Sequence, residues 1–85
     1  MNLNRGEAVA LVKRVLTQLP EENSTEILFI PSFVHLYKVA KMCADNTNVF
    51  AASQDCSAHE SGAFTGEVAA NMIISCNAKY VVLGH

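Results

Sequence analysis

The sequence predicts an α/β fold built on parallel strands, and three observations carry that prediction. Apolar stripes at helical spacing alternate with short continuous apolar runs. The segments joining one run to the next are too long for hairpins, so the strands run parallel with helical crossovers between them. Proline, asparagine and polar clusters mark the boundaries. The order reads α-β-α-β-α-β, with right-handed connections.

The first helix opens at Asn4, an N-cap whose partner Glu7 stands three residues on. Ala8, Leu11, Val12, Val15, Leu16 and Leu19 then form one stripe at helical period, which Pro20 stops. Glu21-Glu22-Asn23-Ser24-Thr25 is a polar connection. Ile27-Leu28-Phe29-Ile30, closed by Pro31, reads as a strand buried on both faces. Ser32 is placed to cap a second helix, with Phe33, Leu36, Tyr37, Ala40, Cys43 and Ala44 on one face and His35 on the polar side, at the surface. Asp45-Asn46-Thr47 turns the chain into a second strand, Asn48 to Ser53. After a loop from Gln54 to Phe64, Thr65 and Glu67 open a third helix with Ala69, Met72, Ile73 and Cys76 inward. Asn77 is a left-handed residue at its end. Tyr80 to Leu83 forms a third buried strand.

Composition narrows the function classes. Eighty-five residues make one small domain at most, able to bury roughly 60–65% of its unfolded surface. With 51% apolar and 16% charged residues the chain is built for a packed core rather than disorder. A net charge of −2, with six dispersed basic residues, offers no footprint for nucleic acid. No apolar run approaches the ~20 residues of a membrane span, and Asn4, Arg5 and Glu7 break any secretory leader. Cys43, Cys56 and Cys76 are odd in number and lack C-x-x-C spacing, which fits reduced thiols in the cytoplasm better than a disulfide or zinc framework.

In parallel α/β sheets chemistry gathers past the C-terminal ends of the strands. Pro31-Ser32-Phe33, the loop Gln54 to Thr65, and Gly84-His85 hold that position. His85 is the best acid, base or electrophile among them, because imidazole titrates near neutrality, and its bland alternative is a solvated side chain. His59 and Glu60 have no third ligand, so they read as solvated rather than as a metal site. Gly62, Gly66 and Gly84 match neither a dinucleotide nor a P-loop spacing.

Gly62-Ala63-Phe64-Thr65-Gly66-Glu67, preceded by Gln54-Asp55 and followed by Val81-Val82-Leu83-Gly84-His85, resembles the triosephosphate isomerase family. Pro31-Ser32 and Met1-Asn2 agree with it at the expected spacing, and the resemblance runs the whole length. It implies a partial (β/α)8 TIM barrel. Residues 1–85 would be the N-terminal segment of a bacterial-type member, from first helix to fourth strand, roughly a third of a barrel of about 250 residues.

The resemblance further implies a cofactor-independent, metal-free isomerase of glycolysis and gluconeogenesis. It would interconvert dihydroxyacetone phosphate and glyceraldehyde 3-phosphate through an enediolate. In the family a glutamate moves the proton, a neutral histidine polarises the carbonyl, and a lysine stabilises the developing charge. His85 matches that histidine as electrophile. The asparagine and lysine that precede the Met-Asn pair, the Ser-Glu-Arg-Arg stretch after the histidine, the glutamate, the lid and the phosphate loops have no match here. The fragment alone is therefore expected to be inactive. Val68-Ala69-Ala70 departs from the serine and proline of many members.

In the family the loop after the third barrel strand enters a pocket beside the twin's active site. Cys56 to Thr65 matches that loop, which implies a homodimer with Gln54, Cys56, Gly62, Ala63, Phe64 and Thr65 at the interface. The alternative for this loop is a mobile surface segment. Two other readings of the chain are a non-catalytic module binding a phosphorylated metabolite and a structural half-barrel awaiting complementation.

Overall fold

A computed structural model describes residues 1–21 and 24–85. Glu22 and Asn23, part of the polar connection read from the sequence, lie outside the described residues. The elements are α1 (Arg5–Gln18), β1 (Ile27–Phe29), α2 (Phe33–Cys43), β2 (Val49–Ser53), α3 (Ala70–Ser75) and β3 (Tyr80–Val81). The strands form one sheet of order β1-β2-β3, parallel throughout, with Leu28 opposite Phe50 and Ala52 opposite Tyr80. This is the open, partial α/β sheet that the sequence predicts.

Helix α1 starts as its sequence dictates. Glu7 N donates to Asn4 Oδ1 at 2.9 Å and Asn4 N donates to Glu7 Oε1 at 3.1 Å, so two otherwise orphaned amides satisfy each other's side chains. Ala8 and Val12 are buried, and Leu16 and Leu19 pack against the core, while Leu11 stays exposed.

The core lies between α2, the helix-facing side of the sheet, α1 and α3. Val39 is completely buried, and around it pack Val12, Leu36, Ala40, Cys43, Val49, Ala51, Ile73 and Ala78. Fully burying one such aliphatic side chain stabilises by about 1.5–3 kcal/mol. The buried face of α2 is His35, Leu36, Val39, Ala40 and Cys43. That corrects the predicted stripe: Tyr37 is 58% exposed and Ala44 is exposed. His35 lies in the interior rather than at the surface. Ser32 occupies the N-cap position, but its side chain makes no capping bond.

The strands also differ from expectation. In β1, Ile27 and Phe29 pack toward the helices, but Leu28 is 39% exposed, so the strand is covered on one face only. Among the described residues no layer covers the face that carries Leu28, Phe50 and Tyr80. Asn48, taken as the first strand residue, adopts a left-handed φ of 61°, and β2 begins at Val49. The third strand is only Tyr80–Val81, both exposed, and Leu83 is exposed rather than buried. Pairing reaches one residue further, through Val82 N to Ser53 O at 3.0 Å.

Helix α3 begins at Ala70, later than the expected start at Thr65 and Glu67. Phe64 to Glu67 instead makes a tight turn, closed by Glu67 N to Phe64 O at 2.9 Å, with Gly66 at φ 88° supplying the positive φ a type II turn requires. Ser57 N to Val68 O at 2.9 Å then holds the next residues extended. Ala69 and Ile73 are buried as read, Cys76 is half-buried, and Met72 points outward at 56% exposure. The far end matches its sequence signal. Asn77 takes φ 65°, its N–H bonds Ile74 O, and Ala78 N bonds Ile73 O. Those two bonds form a Schellman cap, and Ala78 and Ile73 meet in the core.

Candidate functional site

Three segments reach the C-terminal end of the sheet, as the strand order requires. Pro31 and Ser32 follow β1, Gln54 follows β2, and Val82 to His85 follow β3. Parallel pairing of all three strands brings these ends together. Gln54 Nε2 donates to Ile30 O at 2.9 Å, which ties the end of β2 to the end of β1. Ile30, Gln54, Val82 and His85 line an open hollow of about 420 Å³. The exposed His85 imidazole thus borders a concave space that Gln54 also lines, and can donate to or accept from a small polar molecule there.

A second hollow, of about 230 Å³, shares Ile30 and Gln54 with the first. Its other walls include Asn2, Leu3, Pro31, Ser32 and His35. Here the sequence reading missed a residue. His35 is 9% exposed, and its Nε2 lies 2.9 Å from Leu3 O, 32 positions away in the chain. A carbonyl only accepts, so Nε2 carries the proton. The signal was present in the spacing of Leu36, Val39, Ala40 and Cys43, which puts position 35 on the buried face. Phe33 and Tyr37 drew the stripe the other way.

The loop between β2 and α3 is tightly organised. Ser57 Oγ donates to Glu67 Oε1 at 2.6 Å and accepts from His59 N at 3.1 Å. The His59 and Phe64 rings stack in parallel, centroids 3.9 Å apart and planes 2° from coplanar. Gly62, at φ 129°, passes close beside the Phe64 ring. Phe64 and Thr65 are exposed at the tip with Gly62 and Ala63, while Cys56 is half-buried at the base, its Sγ directed at Ser57 O. The interface residues read from the sequence therefore lie on one loop, except Gln54, which belongs to the sheet end. His59, read as solvated, is exposed, and its ring also stacks on Phe64. Among the described residues no three His, Cys, Asp or Glu side chains converge to hold a metal ion.

Polar groups gather at the opposite end of the sheet too. Tyr80 hydroxyl donates to Glu26 Oε1 at 2.9 Å, and that bond holds the phenol proton above its ordinary range. Tyr80 meets Phe50 edge-on at 5.8 Å, and Lys79 Nζ sits 4.9 Å over the Phe50 ring. At the N-terminal ends of parallel strands such contacts brace the sheet. Among the described residues no helix is long and apolar enough to cross a membrane.

Comparison with known proteins bears on the same residues. Residues 1–85 match the family model described as triosephosphate isomerase. The triosephosphate isomerase of Saccharopolyspora erythraea is 41% identical over 88 residues, covering 100% of this chain and 34% of that protein. That of Nocardia farcinica is 40% identical over 88 residues with the same coverage. That of Bacteroides fragilis is 37% identical over 86 residues, again covering 100% and 34%. The chain spans about a third of the length of the curated relatives it matches.

Proposed function

This chain belongs to the triosephosphate isomerase family, and we propose that the protein it represents interconverts dihydroxyacetone phosphate and glyceraldehyde 3-phosphate in glycolysis and gluconeogenesis. One observation carries the reading. His85, the residue that matches the family's electrophile, borders a hollow at the C-terminal end of a parallel sheet, where this fold class places its chemistry.

The local arrangement suits that role. A substrate carbonyl in the hollow would accept a hydrogen bond from the imidazole, which draws electron density from the adjacent carbon and acidifies its proton. Hydrogen bonds aimed at developing charge are worth most in a water-poor site, and losing one such donor costs about 10²–10³ in rate. Gln54, anchored on Ile30 O, lines the same hollow. The lining of Ile30, Gln54, Val82 and His85 includes no lysine or arginine for a phosphate and no carboxylate base. Residues 1–85 therefore act as the N-terminal third of a barrel and supply its electrophile alone. The reading as a self-contained module for a phosphorylated metabolite gains no support from that lining.

The same premise makes the protein a homodimer, with Cys56 to Thr65 docking beside the twin's site. The ordered His59–Phe64 stack and the exposed tip support it, because a loop already held in shape loses less freedom on docking. The three unpaired thiols fit a cytoplasmic location.

Activity is tested by coupling glyceraldehyde 3-phosphate conversion to a dehydrogenase that consumes dihydroxyacetone phosphate. The full-length protein is expected to turn over substrate, and the 85-residue chain alone is expected to stay at the buffer rate. A full-length protein without isomerisation would contradict the proposal.

A further inference from the structure

Among the described residues His35 is the one buried imidazole, and nothing in the chemistry described so far uses it. It sits in the first turn of α2, directly after the Pro31-Ser32 segment that leaves β1. Its Nε2 spans 2.9 Å to the Leu3 carbonyl, in the stretch that leads into α1. The other anchors in that stretch belong to α1 itself: Asn4 and Glu7 bond each other, and Ala8 N bonds Asn4 O. Those contacts fix where the helix begins. They do not fix Asn2 and Leu3 against the sheet.

We propose that His35 is a positioning residue for the candidate site, holding the Asn2–Leu3 backbone against the C-terminal end of the sheet. The hollow between Asn2, Leu3, Ser32 and His35 shares Ile30 and Gln54 with the hollow of His85. Its two sides come from segments far apart in sequence, and the His35–Leu3 bond is a polar link that joins them. Removing it takes away that link between the Asn2–Leu3 backbone and the segment after β1, while α1 keeps its own cap. Displacements of about 1 Å in a positioning element cost on the order of 10²-fold in rate. The inference rests on the isomerase reading of the site.

Two variants of the full-length protein separate positioning from packing. His35→Phe keeps a ring in the interior and removes the donor. His35→Gln places an amide N–H near the position of Nε2 and keeps the donor. With active-site concentration measured independently, His35→Phe is expected to lose about tenfold or more in kcat/KM per folded site, and His35→Gln to recover most of it. A packing role would instead lower Tm and leave kcat/KM per folded site unchanged. Two further outcomes overturn the proposal: equal damage from both variants, or a fully active His35→Phe. Should His35→Phe not fold, nitrogen-15 histidine spectra of the unmodified protein decide. A protected proton on Nε2 of His35 is expected, and a freely exchanging ring contradicts the bond. Failure of the underlying reading is distinct, since the unmodified protein would then not isomerise triose phosphates at all.

Discussion

Replacing Gly62 with alanine tests how the loop proposed to dock is held. An alanine Cβ there would lie 2.8 Å from Phe64 Cε2 and 3.2 Å from Cδ2, too close for the ring to stay where it stacks. The backbone angle of 129° adds strain for any L side chain, roughly 1–3 kcal/mol. Displacing Phe64 also forfeits its parallel contact with His59, worth about 0.5–1.5 kcal/mol. If docking requires the loop in its present shape, both costs appear in the dimer equilibrium. At 1.4 kcal/mol per decade they weaken dimerisation between about tenfold and a thousandfold. Gly66→Ala provides the comparison. It meets similar backbone strain at φ 88°, but its Cβ would find no atom within 4 Å, so it isolates the contribution of the ring contact. Sedimentation velocity on a dilution series of full-length protein reads the dissociation constants directly. Gly62→Ala should dissociate at clearly higher concentration than Gly66→Ala, and both at higher concentration than the unmodified protein. Equal dimer affinity for the two variants would refute the role given to the Phe64 ring.

Further expectations concern stability. Asn4→Ala removes the reciprocal cap of α1 and should lower unfolding free energy by about 0.5–2 kcal/mol, measured by chemical denaturation. Burial raises the Cys43 thiol pKa, so the folded state binds that proton more tightly than the unfolded chain. Its contribution is therefore intact below the unfolded pKa and is lost as pH rises through the folded value. Denaturation of the unmodified protein should thus show a fall in stability from neutral to strongly alkaline pH that is smaller in Cys43→Ala, where the raised Tyr80 phenol still contributes. Identical pH profiles would contradict the buried thiol.

The elements legible in the sequence were those whose signals are local. The capping box of Asn4 and Glu7 and the left-handed Asn77 each depend on a few neighbouring residues, and each formed as read. The parallel order was legible too, since connection length excludes hairpins whatever the tertiary contacts. What failed depended on what lies opposite. Phe33 and Tyr37 suggested one face of α2, but the neighbouring register seats Val39 over Val49 and Ala51 and leaves Tyr37 outside. Leu28 and Leu83 read as interior because apolar runs in parallel sheets usually are, and no described layer meets either of them. Thr65 looked like a helix start, yet Gly66 made a turn first, and Ser57 drew the Glu67 carboxylate away from any cap.

Of the site, His85 and the tip of the loop were visible through position and motif. His35 was not, because its partner is a backbone carbonyl 32 residues away, and the spacing of Leu36, Val39, Ala40 and Cys43 signals its burial but not that bond. The His59–Phe64 stack was equally hidden, being a consequence of how Gly62 turns the chain.

The central claim is that His85 is the electrophile of an isomerase site at the C-terminal end of this sheet. Steady-state kinetics of His85→Gln in the full-length protein test it most directly. The account predicts a fall in kcat of about 10²–10³, with fold and dimer affinity unchanged. A variant isomerising within a few-fold of the unmodified protein would contradict it.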